Sequence, residues 1–592
     1  MSARRLAVLA SSWMLLGSGA ATAAAATGNA HQLSFEALMQ GRSPATPVET
    51  SEFTAAPDAR ASSRKFSGRL SFAATGRTAR ARVLRDTYGL AAGAGRSLLH
   101  LPAFDFEFVQ AGDALIPLRR GSVPSDDPDW EYILEPGRVW EERGDRGFAR
   151  AALPFALEER NANCVHQGLL TFLFDAQGVV SQVAYQIGSE TCMYLQFDLW
   201  GLTAARYTPG ELPAAASVVN AYEQEVRSRL PVKSMSALRV DHPGADPAAF
   251  GAAQDIAPGD MSAFGFLIDG VHYAGGCGTR HGPYPFCDVL DLPSYSLAKS
   301  IFAGVTLMRL EQHFPGASRR EIPDYVPECA RAGTWQGVTF GNALDMATGN
   351  FRSLHYDVDE RAGHTAGLFE TATHVRKIEY ACGEYPRKAV PGTLWAYHTS
   401  DTYVLGTALN AFVRQRVGAE RDVFTDVLLG ELWQPLGLSP VTRSTRRTLD
   451  AAAQPFTGWG LLLHRDDILR IGRWLATDQG VLGGRQMLDP QMLAAALQRA
   501  PQDPGLTSTG PEFRYQHGFW AHDVSRAVGC QQPVWVPFMS GYGGIVVALF
   551  PNDTIYYYFS DGGTFNWRRA AIEANRIRRF CTRPPGAGTP PS

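Results

Sequence analysis

The segment Pro293-Ser294-Tyr295-Ser296-Leu297-Ala298-Lys299-Ser300 carries a serine and a lysine three residues apart. On a helix, residues at that spacing share a face, so the ammonium of Lys299 can lie beside the hydroxyl of Ser296. A hydroxyl is a poor nucleophile until a neighbouring group takes its proton. A lysine held out of water has a lowered proton affinity and can be that group. Leu297, Ile301, Val305 and Met308 recur at helical spacing, which predicts a helix with a buried stripe behind the pair. Ser296 then stands near the positive end of the helix dipole. The pattern is short, and the chain holds a control for it: Ser62-Ser63-Arg64-Lys65 has the same spacing. No apolar helix follows that copy, and it is read as chance.

Three further segments give Ser296 and Lys299 a context. The first is Pro391-Gly392-Thr393-Leu394-Trp395-Ala396-Tyr397-His398-Thr399-Ser400-Asp401, which runs on into Leu405-Gly406. The second, Trp335 to Gly349, includes Val338-Thr339 and Leu344-Asp345-Met346. The third, Met539-Ser540-Gly541-Tyr542-Gly543-Gly544, precedes an apolar run from Ile545 to Phe550. Glycines in such a strand let its backbone approach a ligand closely.

Together these segments resemble the serine β-lactamase and penicillin-binding-protein-like hydrolases. The likeness is to the class C-related members, in particular the branch of 6-aminohexanoate-dimer hydrolases and esterases. It covers residues 233–582. It implies an α/β (α+β) fold: an antiparallel sheet flanked by helices, with a helical subdomain and the site between them. It also implies that Tyr397 shares the acid/base work with Lys299, its phenol lowered by a nearby cation. Thr399 stands where relatives carry Asn or Ser, keeping a hydroxyl for lysine or substrate. The N–H groups of Ser296 and Tyr542 are expected to hold the oxyanion, with Gly541, Gly543 and Gly544 lining the substrate. Residues 335–349 are expected to form a structural helix closed by Gly349, and Gly458-Trp459-Gly460 and Arg465-Asp466-Asp467 to serve packing. No Lys or His stands in the Met539–Gly544 segment. That points to neutral, small-molecule or peptide-like esters and amides. No metal or organic cofactor is expected.

The rest of the chain bounds the reading. At 592 residues it is long enough for more than one domain. A net charge of -3 offers no positive field for nucleic acid. Arg4 and Arg5, an apolar stretch and then small residues read as an export signal over 1–26. A periplasmic or secreted protein follows, with no transmembrane segment in the mature chain. Residues 27–64, rich in Ala, Thr, Ser and Pro, read as a flexible leader. Residues 65–213 alternate with period two, as in Phe104-Asp105-Phe106-Glu107-Phe108, and predict a β-rich domain. A linker helix is expected over 214–232, ending near Pro231, and a disordered tail over 583–592. The eight cysteines of an exported chain suggest disulfides between neighbours: 164 with 192, 277 with 287, 329 with 382, and 530 with 581.

Other signals carry less. There is no G-x-S-x-G elbow, phosphate loop or dinucleotide fingerprint. His355, Asp357, Asp359, Glu360 and His364 cluster without metal-site spacing and are read as a solvated loop. Two alternatives to an esterase or amidase stay open: a β-lactamase or D-amino-acid peptidase, and a non-catalytic binding protein of the same fold. The sequence does not fix the oligomeric state.

Overall fold

Ile555-Tyr556-Tyr557-Tyr558-Phe559 is apolar or aromatic throughout, the pattern of a strand covered on both faces. In the computed structural model this strand, Ile555–Ser560, lies inside a nine-stranded sheet. The order is Val232–Ser234, Val271–Gly276, Met261–Ile268, Ile555–Ser560, Ile545–Leu549, Trp535–Gly541, Phe519–Asp523, Phe513–Gln516 and Leu506–Thr507. Every pairing is antiparallel except the first. Ile555, Tyr557 and Phe559 pack into the core that holds Leu297, Ile301 and the helix Arg465–Ala476. Tyr556 and Tyr558 face the opposite core with Trp567, Ala570, Ala571 and Ala574, at the helix Arg568–Ile577. The sheet is thus filled from both sides, with helices on each.

The structure describes residues 31–76, 79–92, 98–251, 256–361 and 365–581. The expected signal, the start of the leader, the tail and His364 lie outside these. Among the described residues, no helix is long and apolar enough to cross a membrane.

A second sheet, of thirteen strands, is built from residues 60–209. Its centre is the run Ala149–Glu159, Val165–Phe174, Val183–Thr191, Leu195–Thr203, each antiparallel to the next. The turn after Phe174 is closed by Asp175, whose carboxylate accepts the N–H groups of Gln177 and Val179. The helix Ala215–Ser228 follows and lies on this sheet through Val218, Val219 and Tyr222.

The segment read as a flexible leader is ordered from residue 31. Ser34 caps a helix, Phe35–Gln40, and Leu33, Leu38, Val48 and Phe53 are all 3% exposed or less. They join one core with Ala152, Leu169 and Leu173 of the thirteen-stranded sheet. These apolar residues share no period, because the chain wraps over a surface instead of forming one amphipathic element. Composition therefore concealed them.

The two sheets do not stand apart. One continuous core contains residues of both, and ion pairs with buried carboxylates cross the seam. Arg446 meets Glu131 and Glu158. Arg280 meets Glu190 and Asp198. The His464 ring lies 3.5 Å from both Glu135 and Asp291. The four disulfides join the neighbouring cysteines as expected.

The ordered leader makes a direct prediction. Leu38→Ala lowers the unfolding free energy by about 2–4 kcal/mol in a denaturant titration, where a flexible leader would give no change.

Candidate active site

The strand Leu292–Pro293 pairs with Leu462–Leu463 and leads into a tight turn. Tyr295 takes φ +42°, a left-handed conformation that is rare outside glycine. The turn ejects the next side chain: Ser296 is half-buried while its neighbours from 291 to 305 are buried. The helix behind it is wound as a π-helix over Lys299–Gly304, then as an α-helix over Val305–His313. Wide π turns are concentrated at functional sites. The predicted stripe is corrected here. Leu297, Ile301, Val305 and Met308 are buried, but so are the residues between them, so this is a core helix covered all round.

Lys299 is 2% exposed. Its ammonium donates to Ser296 Oγ at 2.7 Å, Thr399 Oγ1 at 2.9 Å and the Gly458 carbonyl at 3.3 Å. An ammonium has three hydrogens, and each has an acceptor. Burial brings its proton affinity down to about 8, against the opposing pull of Glu360.

Tyr397 lies against the same lysine. Its ring centroid lies 5.1 Å from the Lys299 ammonium, and Ser296 is among the groups that act on its phenol. The cation does not lower this phenol as expected. Burial pushes it well above the ordinary tyrosine range, and Tyr356 and Glu360 push the same way. Tyr397 therefore holds its proton where Lys299 gives one up.

Thr399 opens the helix Thr399–Arg416. Its N–H donates to Glu360 Oε2 at 2.8 Å, and its hydroxyl bridges Lys299 and Glu360 Oε1. A carboxylate at a helix start is stabilised by the dipole and by the exposed N–H groups. The neighbouring His398 is buried between Asp359, at 3.0 Å, and Asp401, at 3.5 Å. Burial would lower this ring, but the two carboxylates raise it to about 9, so it holds the motif together as a cation.

Gly541 ends the strand beside the Ser296 turn, and a Cβ there would lie 2.8 Å from the Ser294 carbonyl. Tyr542 is 41% exposed, with its ring 5.8 Å from that of Tyr295. Gly543 and Gly544 form a left-handed turn with φ +92° and +93°. Cβ atoms on them would meet Ser560, and at Gly544 also Thr564, so their lack of a side chain shapes the strand connection.

Residues 335–349 are corrected as well. The helix is short, Phe340–Leu344, with Thr339 and Asn342 forming a capping box. Gly349 lies well past its end. The loop between them accepts the N–H of Ala396 on Met346 and that of Gly392 on Ala347, and so braces the Tyr397 segment.

Two contributors escaped the sequence reading. Gly458 was assigned to packing, yet its carbonyl holds Lys299. Glu360 was assigned to a solvated loop, yet with Asp359 it holds the segment His398-Thr399. The only signal for Gly458 was its place among three closely spaced small or aromatic residues. For Glu360 no local pattern existed, because its partners are 39 and more residues away. His355 is exposed, as read. Ser62 also fits its reading: it lies off any helix, with its hydroxyl on the Arg64 carbonyl.

No family model and no curated protein matches the chain. Among solved structures it is similar to a Bacillus anthracis protein assigned as a 6-aminohexanoate-dimer hydrolase. The identity is 15%, over 59% of this chain and 86% of that one, with a TM-score of 0.44. It is also similar to a class C β-lactamase mutant, at 14% identity over 58% and 96%, with a TM-score of 0.40. These are the groups that the motifs resemble.

Gly458 offers a sharp test of the site's packing. A Cβ there would lie 2.5 Å from Thr402 Oγ1 and 3.1 Å from Thr399 Cγ2, both in the buried start of a helix. Gly458→Ala is expected to displace the carbonyl from Lys299 and, by overpacking the helix start, to cost roughly 1–3 kcal/mol of unfolding free energy in a denaturant titration.

Proposed function

We propose that the protein is an exported serine hydrolase that cleaves an ester or amide bond through an acyl-enzyme on Ser296. One observation carries this reading: a buried lysine, its proton affinity brought down to about 8, donates to Ser296 Oγ at 2.7 Å. Export is supported by the four disulfides, which persist in oxidising compartments.

Neutral Lys299 takes the proton of Ser296, and Oγ attacks the substrate carbonyl carbon. The negative oxygen that forms is received by the N–H groups of Ser296 and Tyr542. Tyr397, still protonated, gives its proton to the departing alkoxide or amine and is re-protonated from the Lys299 ammonium. Water then attacks the acyl carbon, its proton goes to the same pair, and the acid leaves with Ser296 restored. Thr399 keeps the Lys299 ammonium aimed, and Glu360 sets how readily it gives up its proton. Aromatic rings of Tyr356, Tyr397 and Trp520 pack together beside the pair, which supports neutral, apolar acyl groups.

Hydrolysis of p-nitrophenyl esters tests this. Ser296→Ala should lose roughly 10⁴-fold or more in kcat. The wild-type rate should rise with pH through about 8, because only neutral Lys299 is a base. A rate that falls across that range contradicts lysine as the base. A stable penicillin adduct on Ser296 would move the substrate class to lactams, and full inertness would favour the binding-protein alternative.

Glu360 gives a signed prediction. Its charge raises Lys299, so Glu360→Gln should lower the lysine further. The rising limb of the pH profile should then move to lower pH by at least about 0.5 unit.

A further inference from the structure

The thirteen-stranded sheet sends one loop into the catalytic site. This loop, residues 160–164, joins the strands Ala149–Glu159 and Val165–Phe174. At its tip Asn163 is 0% exposed. Its side-chain oxygen accepts the N–H of Tyr295 at 2.8 Å and that of Gly460 at 3.0 Å, and the Ser294 hydroxyl points to it at 3.4 Å. One oxygen therefore ties together two segments far apart in the chain. The first is the left-handed turn that presents Ser296. The second is the strand-like run two residues past the Gly458 carbonyl that holds Lys299.

The neighbouring contacts repeat the arrangement. The Asn161 carbonyl accepts the indole N–H of Trp459 at 3.1 Å. Ser294 and Leu461 are cross-linked by Ser294 N–H to the Leu461 carbonyl at 2.9 Å and Leu461 N–H to Ser294 Oγ at 3.1 Å. The Cys164–Cys192 disulfide fixes the loop immediately after Asn163. Tyr295 pays for its left-handed backbone with bonds that come from outside its own element, and Asn163 supplies the shortest of them.

We infer that Asn163 is a positioning residue for the hydrolase, and that the thirteen-stranded sheet completes the active site by setting the distance between the Ser296 turn and the Gly458 carbonyl. This rests on the serine hydrolase reading above. Asn163 acts through two backbone N–H groups, which need an acceptor of fixed position. A catalytic body without this sheet would leave both N–H groups unpaired and the Ser296 turn free to relax.

Three variants of the full-length protein test the inference, read by ester kcat and KM. Asn163→Leu keeps the shape of the side chain and removes the acceptor. It should lower kcat by at least about 30-fold while KM changes less than about threefold. Asn163→Asp keeps an acceptor at the same place and should restore kcat to within about tenfold of wild type. If the leucine variant does not fold, Asn163→Ser leaves room for a water to meet the two N–H groups, and should still lose at least about fivefold in kcat. A folded leucine or serine variant with wild-type kcat overturns the inference while the hydrolase reading stands. So does a folded aspartate variant as impaired as the leucine one. Wild-type protein that turns over no ester overturns the hydrolase reading, and the role of Asn163 with it.

Discussion

A lysine ammonium held in the interior by three oxygen atoms is the constraint around which this structure is arranged. Removing such a charge from water is costly unless every hydrogen finds a partner. The partners come from three separate segments: Ser296 in the turn before the lysine's own helix, Thr399 at the start of another helix, and the Gly458 carbonyl from a third segment. Each segment must be brought in by the fold, and each carries a mark of it. Tyr295 adopts a left-handed backbone to present Ser296. Gly458 lacks a side chain because Thr402 and Thr399 occupy that space. Glu360 sits at the head of the Thr399 helix and partly offsets the burial of the cation. The balance leaves the lysine near the point where it can exchange a proton at ordinary pH.

The same arrangement separates the roles of two groups that the motifs alone leave equivalent. Lys299 donates to Ser296, the Tyr397 ring lies against Lys299, and both are desolvated. Desolvation disfavours the charged form of each, and the charged forms lie on opposite sides of the titration. The lysine is driven towards its neutral, basic form, and the tyrosine towards its neutral, acidic form. One environment therefore produces a base and an acid side by side.

What the sequence disclosed follows the range of the interactions. Ser296 and Lys299 are three residues apart, and a helical period is enough to pair them. The cysteine pairs, 10 to 53 residues apart, were legible from their order along the chain and not from a local period. Tyr397 and Thr399 were legible through resemblance, since no period links them to Ser296. Glu360, Gly458 and Asn163 were not legible, because each meets its partner through the assembled fold. The leader was misread for a related reason: Leu33, Leu38, Val48 and Phe53 are spaced to follow the surface they cover, and neither a helical nor a strand period marks them.

The proposed chemistry stands or falls on Ser296 as the nucleophile. Labelling with a fluorophosphonate probe, followed by intact mass and peptide mapping, tests it most directly. The predicted result is one adduct, on the peptide containing Ser296, absent from Ser296→Ala and unchanged in Ser62→Ala. An adduct on another residue, or none on folded wild-type protein, would contradict it.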